Sequence, residues 1–86
     1  MDFVNYVESC FAGRYGFKVD HKDSTGIQLA CRDNRDGETA GPIDIEKAER
    51  LKIEIVEHMK SWGRKVLVTT STNYEWAIIY IAEIKE

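Results

Sequence analysis

The spacing of apolar residues along this chain switches between helical and strand periods, and each switch marks an element. Over residues 2–13, DFVNYVESCFAG, the apolar positions Phe3, Val7, Cys10 and Phe11 fall on one face of a helix. Asp2 can cap its start, and Gly13 can close it in a left-handed turn. The period then shortens to two. In GFKVDHKDSTGIQLACRD, Phe17 and Val19 alternate with Lys18, Asp20 and Lys22, and Ile27, Leu29 and Cys31 alternate with Gln28, Ala30 and Arg32. DSTG between the two runs is turn chemistry, with Gly26 available for positive φ, so the segment predicts a hairpin that is apolar on one side and wet on the other.

Residues 33–44, DNRDGETAGPID, carry turn residues throughout and no period, and predict one long loop. The helical period returns in IEKAERLKIEIVEHMKSW, where Ala48, Leu51, Ile55, Met59 and Trp62 form a stripe widened by Val56. Asp44 is placed to cap this helix and Gly63 to end it, and the charged face opposite the stripe is a solvated surface. A second hairpin closes the sequence, KVLVTTSTNYEWAIIYIAEIKE, with its turn near Thr72 and Asn73. The parity of that turn decides which face Val66 and Val68 join, because a slip of one residue reverses the faces. The whole predicts a small α+β domain over 1–86, in the order α-β-β-α-β-β. Its architecture is two-layer: a four-stranded, mainly antiparallel sheet with two helices on one face. The halves echo each other: VESCFAGRYGFKV and VEHMKSWGRKVLV share Val-Glu, then Gly-Arg, then a strand.

The last strand is apolar in both phases. Tyr74, Trp76, Ile78, Tyr80 and Ile84 point one way, and Ala77, Ile79 and Ile81 the other. Two helices cannot cover both faces of such a sheet. The smaller set packs more easily beneath helices that bring Phe3, Phe11, Met59 and Trp62, so the aromatic set is expected outward. Tyr74, Trp76 and Tyr80 together offer about 450–750 Å². That is at or above the largest apolar patch of a typical monomer, roughly 300–600 Å². With Lys18, Lys22 and Arg32 as a basic rim, this reads as an interface whose second face another chain covers.

Net charge, −3, argues against non-specific nucleic-acid binding, which needs a surplus of Lys and Arg. No apolar run is long enough to span a membrane, and MDFVNYVESC lacks the basic start of a signal peptide. Cys10 and Cys31, each in phase with apolar neighbours, read as reduced, buried thiols of a cytoplasmic protein.

The possible metal ligands Cys10, His21, Cys31 and His58 are at least ten positions apart, without the paired spacing of a zinc site. RDNRDGE would put Arg32 at the first position of a calcium loop, where a carboxylate is needed. No nucleophile elbow or phosphate loop is present, and His58 reads as a surface residue near Glu54 and Glu57. No catalytic residue, metal or cofactor is therefore assigned.

The expected function is a small non-catalytic protein-binding module: an inhibitor, immunity-type or adaptor protein. It would act by occluding a macromolecular partner or by self-association through the aromatic sheet face, as with a homodimer. Its expected contact residues are Tyr74, Trp76, Tyr80, Lys18 and Arg32. Two alternatives stand beside it. One is a small oligomeric enzyme or ligand-binding domain with a site between loop 33–44 and the sheet. The other is a single-stranded nucleic-acid binder that stacks bases on Trp76 and Tyr80.

Overall fold

The computed structural model describes residues 2–32, 45–73 and 76–84, apart from the side chains of Arg32, Ile45 and Asn73. The elements run α1 (Phe3–Phe11), a 3-10 turn (Arg14–Gly16), β1 (Lys18–Lys22), β2 (Gly26–Arg32), α2 (Ile45–Ser61), β3 (Val66–Asn73) and β4 (Trp76–Glu83). The strands form one antiparallel sheet in the order β1-β2-β4-β3. This is the α+β order that the hydrophobic pattern predicts.

Both helices lie on one face, because a single core joins them to one phase of the strands. Val4, Val7 and Phe11 of α1 and Ala48, Leu51, Ile55 and Met59 of α2 bury themselves against Ile27, Leu29, Val68, Ala77, Ile79 and Ile81. The small, branched phase of β4 thus faces the helices, and the aromatic phase faces away. Volume explains the choice: the helices already fill the interlayer space with Phe11, Met59 and Leu51, and Phe17 joins them from the position just before β1.

The helix ends follow local chemistry. Asp2 Oδ1 accepts from Asn5 N–H at 2.9 Å, and Gly13 leaves α1 at φ 92°. Gly63 does the same for α2 at φ 77°. The sequence echo is therefore structural. Gly13-Arg14 and Gly63-Arg64 occupy equivalent helix exits, and each arginine lies over a neighbouring ring, Arg14 over Phe11 at 5.0 Å and Arg64 over Trp62 at 4.6 Å. Asp44, expected as the cap of α2, lies outside the described residues, as do residues 33–44 as a whole.

Several details differ from the simple pattern. A β-bulge between Val19 and His21 sets both Asp20 and His21 against Gln28. The phase of β1 then shifts, and Lys22 moves to the helix side, where its Nζ reaches Glu8 at 2.6 Å instead of joining the rim of the open face. Gly26 does not use positive φ. A β-carbon there would come 2.5 Å from the Tyr80 hydroxyl and 3.0 Å from the Ile81 carbonyl, so glycine is required by close approach.

Trp62 is 39% exposed, because it follows the last turn of α2, and it stacks on Tyr6 at 4.3 Å rather than entering the core. Val56 is exposed as well. In the second hairpin Thr72 and Asn73 still belong to β3, where they pair with Ala77 and Trp76. That register sets Val68 opposite Ile81 and Thr70 opposite Ile79, on the core side.

The first hairpin turn is held by one carboxylate. Asp23 Oδ1 accepts from Thr25 N–H and Thr25 Oγ1, both at 2.7 Å, and from Gly26 N–H at 3.0 Å. These bonds, led by the Thr25 hydroxyl, hold the Asp23 carboxyl below the usual carboxylate range. A depressed native pKa adds stability above the unfolded value of about 4, and that stability is lost as pH falls through this region. Denaturant melts of Asp23→Asn should therefore show a shallower loss of stability between about pH 5 and 3 than the native chain. Parallel curves would remove Asp23 from the acid response.

Candidate functional site

The face of the sheet turned away from the helices is built from the other phase of each strand. The pairings lay it out in rows. Arg32 of β2 pairs with Trp76 of β4, which pairs with Asn73 of β3. Next come Lys18, Ala30, Ile78 and Ser71, then Gln28, Tyr80 and Thr69, then Gly26, Ala82 and Leu67. An apolar band crosses the middle of this face. Trp76 is 39% exposed, Leu67 is 49% exposed, and Ile78 and Tyr80 are half-buried. Polar residues flank the band: Lys18 on one side, Thr69 and Ser71 on the other, and Gln28, whose Nε2 donates to Asp20 at 2.7 Å.

The patch is smaller than the full areas of its aromatic residues, for a local reason. Tyr80 has a glycine as diagonal neighbour, and its ring lies down over Gly26, which is buried beneath it. Tyr80 thus caps the sheet as much as it presents a surface. Trp76 keeps its exposure at the other end of the band. There a groove of about 500 Å³ opens beside it, between Lys18, Ala30 and the turn that carries Tyr15. Cys31 and Lys47 reach the same groove from the helix side of the sheet.

Of the residues singled out in the sequence, Lys18 and Trp76 meet at this groove, and Tyr80 stands farther along β4. The backbone of Arg32 pairs with Trp76, while its side chain and the whole of Tyr74 lie outside the described residues. Leu67 was missed. Its membership follows only from the parity of the β3–β4 turn, which the sequence leaves open. Tyr15 was missed as well. It sits at φ 53°, a left-handed conformation that strains an aromatic residue, and the contact between its hydroxyl and the Glu54 carboxylate holds it there. Arg14 joins the same carboxylate at 2.9 Å. The hydroxyl's bond to Glu54 is the main cause that raises the Tyr15 phenol above its ordinary range.

The groups considered for catalysis or metal binding are dispersed. His21 is exposed on β1, 3.9 Å from Asp23. His58 is not a surface residue among carboxylates. It is half-buried between the helices, with its Nε2 2.8 Å from the Tyr6 hydroxyl and its ring edge-on to Phe11. Cys10 stands near the same tyrosine. Burial first, and then the thiol of Cys10, raise the Tyr6 phenol above its ordinary range. Tyr6, His58 and Trp62 thereby pin α1 to α2.

The two cysteines form no bridge and are half-buried rather than fully buried, and the Cys31 thiol points to the Tyr15 carbonyl at 3.6 Å. Among the described residues no three potential ligands gather around one point. No described helix is long and apolar enough to cross a membrane.

Compared with protein-family models, curated proteins and solved structures, the chain matches none of them.

Proposed function

We infer that this chain is a non-catalytic protein-binding module that covers a macromolecular partner with the open face of its sheet, as an inhibitor, immunity-type or adaptor protein does. The observation that carries this reading is the exposed apolar band, which ends in a groove where Trp76 and Lys18 meet. An aromatic anchor beside a cavity and flanked by a cation is the arrangement in which binding energy concentrates. The matching partner surface presents an apolar side chain to the groove and a carboxylate to Lys18. The unbridged cysteines support a cytoplasmic setting.

Affinity capture from the source organism's lysate tests this, with the native chain and Trp76→Ala compared at equal loading. The expected result is one protein retained stoichiometrically by the native chain and reduced at least tenfold by the variant, since a central anchor contributes about 2–4 kcal/mol. Equal retention of every captured protein by both chains would end this reading. Loss of the captured species with rising salt, together with nuclease sensitivity, would favour single-stranded nucleic acid instead.

The groove also supports a second reading, a ligand-binding domain. Cys31 and Lys47 line it from one side and Trp76 from the other, close to where β2 leads into residues 33–44. In that case Lys47→Ala would abolish small-molecule binding measured by calorimetry, while protein capture would be unchanged.

A further inference from the structure

The two edges of the sheet are unlike. β1 is short, KVDHK, with charged residues along its length and a bulge near its middle. These are the devices by which proteins keep an edge from pairing. β3 has none of them. Its sequence, VLVTTSTN, holds no charge, proline or glycine over eight residues. Among the described residues no strand pairs with its outer side.

We propose that a second copy of this chain pairs with β3, the two strands running antiparallel about a two-fold axis at Thr69. The sheets of the two copies then join into one. This inference goes beyond the partner-binding reading, because it uses the edge of the sheet and leaves the Trp76 end of the open face free.

The backbone ladder supports this axis. Ile84 N–H donates to the Lys65 carbonyl at 2.9 Å, which makes that pair a hydrogen-bonded one. Hydrogen-bonded and non-bonded pairs alternate in an antiparallel ladder. Leu67, Thr69 and Ser71 therefore turn their backbone groups toward β4, and Val66, Val68, Thr70 and Thr72 turn theirs outward. These four are symmetric about Thr69. A two-fold axis there sets Val66 against the second copy's Thr72 and Val68 against its Thr70, with about eight hydrogen bonds between the chains. The same register keeps every side chain on its own face: Leu67 meets the second copy's Ser71 on the open side, and Thr69 meets its own copy.

The helix layer carries exposed apolar residues on the same side as this edge. Thr70 Oγ1 donates to Glu49 Oε1 at 2.8 Å, so the flank of α2 that carries Glu49 overhangs β3. Ile53, Val56 and Lys60 continue that flank at helical spacing. Ile53 is 59% and Val56 40% exposed, although a helix in a two-layer domain normally presents polar residues there. The two-fold axis runs this flank antiparallel to its copy. The exposed Ile53 and Val56 of each copy then lie along the seam, where they add an apolar contact in the helix layer. A contact two layers deep along a strand of about 27 Å buries on the order of 600–800 Å² per copy, at the lower end for a stable dimer. Dimers should therefore form at micromolar concentrations.

Sedimentation velocity from about 1 to 500 μM tests the proposal on the native chain and three variants. Thr69→Lys places like charges opposite each other at the axis, on an exposed edge position that tolerates lysine. Ile53→Lys removes the apolar contact in the other layer. Each should weaken dimerisation at least tenfold while leaving the far-ultraviolet spectrum and the low-concentration melt unchanged. Trp76→Ala should leave the dimer intact. Amide exchange supplies a readout independent of mutation: Val66, Val68, Thr70 and Thr72 should exchange more slowly as protein concentration rises. A native chain that stays monomeric throughout the range would overturn the proposal. So would a dimer that Thr69→Lys and Ile53→Lys leave intact and Trp76→Ala dissolves, which would put the self-contact on the open face.

Discussion

Replacing Ile79 by alanine is expected to destabilise the protein by about 3–4 kcal/mol. Ile79 is fully buried at the centre of β4, the strand flanked by β2 and β3, on the face that packs against α2. Its truncation removes contacts to a close-packed shell that relaxes only in part, so a cavity term adds to the lost transfer energy. For a domain of this size that is a large share of a total stability of roughly 5–8 kcal/mol. Trp76→Ala, on the same strand in the opposite phase, should cost only about 1 kcal/mol, mostly strand propensity and partial burial. Urea melts of the two variants measure the contrast. A larger loss for Trp76→Ala than for Ile79→Ala would mean that the open face bears on the core, and the surface assigned to partner binding would be structural.

The second large effect is expected at Gly26. Alanine there brings its methyl group against the Tyr80 ring and close to the Ile81 carbonyl. The ring can rotate away, but the carbonyl belongs to the β2–β4 ladder and cannot. Gly26→Ala should therefore lose about 1–3 kcal/mol, as overpacking typically does. The origin of the loss is testable by a double-mutant cycle. Tyr80→Ala removes the ring from above Gly26, so adding Gly26→Ala to that background should cost less than it does in the native chain, by about 0.5–1 kcal/mol or more. Strict additivity would assign the whole cost to the backbone contact and remove Tyr80 from the account.

Much of the architecture was legible in the sequence because it depends on local periods. The stripe Ala48, Leu51, Ile55 and Met59 is fully buried, and the capping roles of Asp2, Gly13 and Gly63 hold. The orientation of β4 was legible through volume, since the aromatic phase would have overfilled a layer already holding Phe11 and Met59. The candidate site was only partly legible. Trp76 and Lys18 meet at the groove, but neither Tyr15 nor Lys47 carries any sequence signal linking it to them. They reach the groove from a turn and a helix whose placement depends on how the layers pack.

The failures have a common physical origin. Lys22 was assigned by alternation, and one inserted residue in β1 reversed its face. His58 was assigned by its sequence neighbours, and a tyrosine 52 positions away took it between the helices. Trp62 continued a helical stripe on paper, but the helix ended before it. Gly26 was credited with a turn conformation, and its actual reason is a ring delivered by a strand more than fifty residues later. Local periodicity and side-chain volume were enough to set the elements, their order and the buried phase of the helices and of β4, because both are carried by residues close together in the chain. Tertiary structure alone decided the bulge, the parity of the second hairpin, the groove at Trp76 and the place of β3 at the end of the strand order, because each depends on which strands become neighbours, and long-range pairing leaves no local trace.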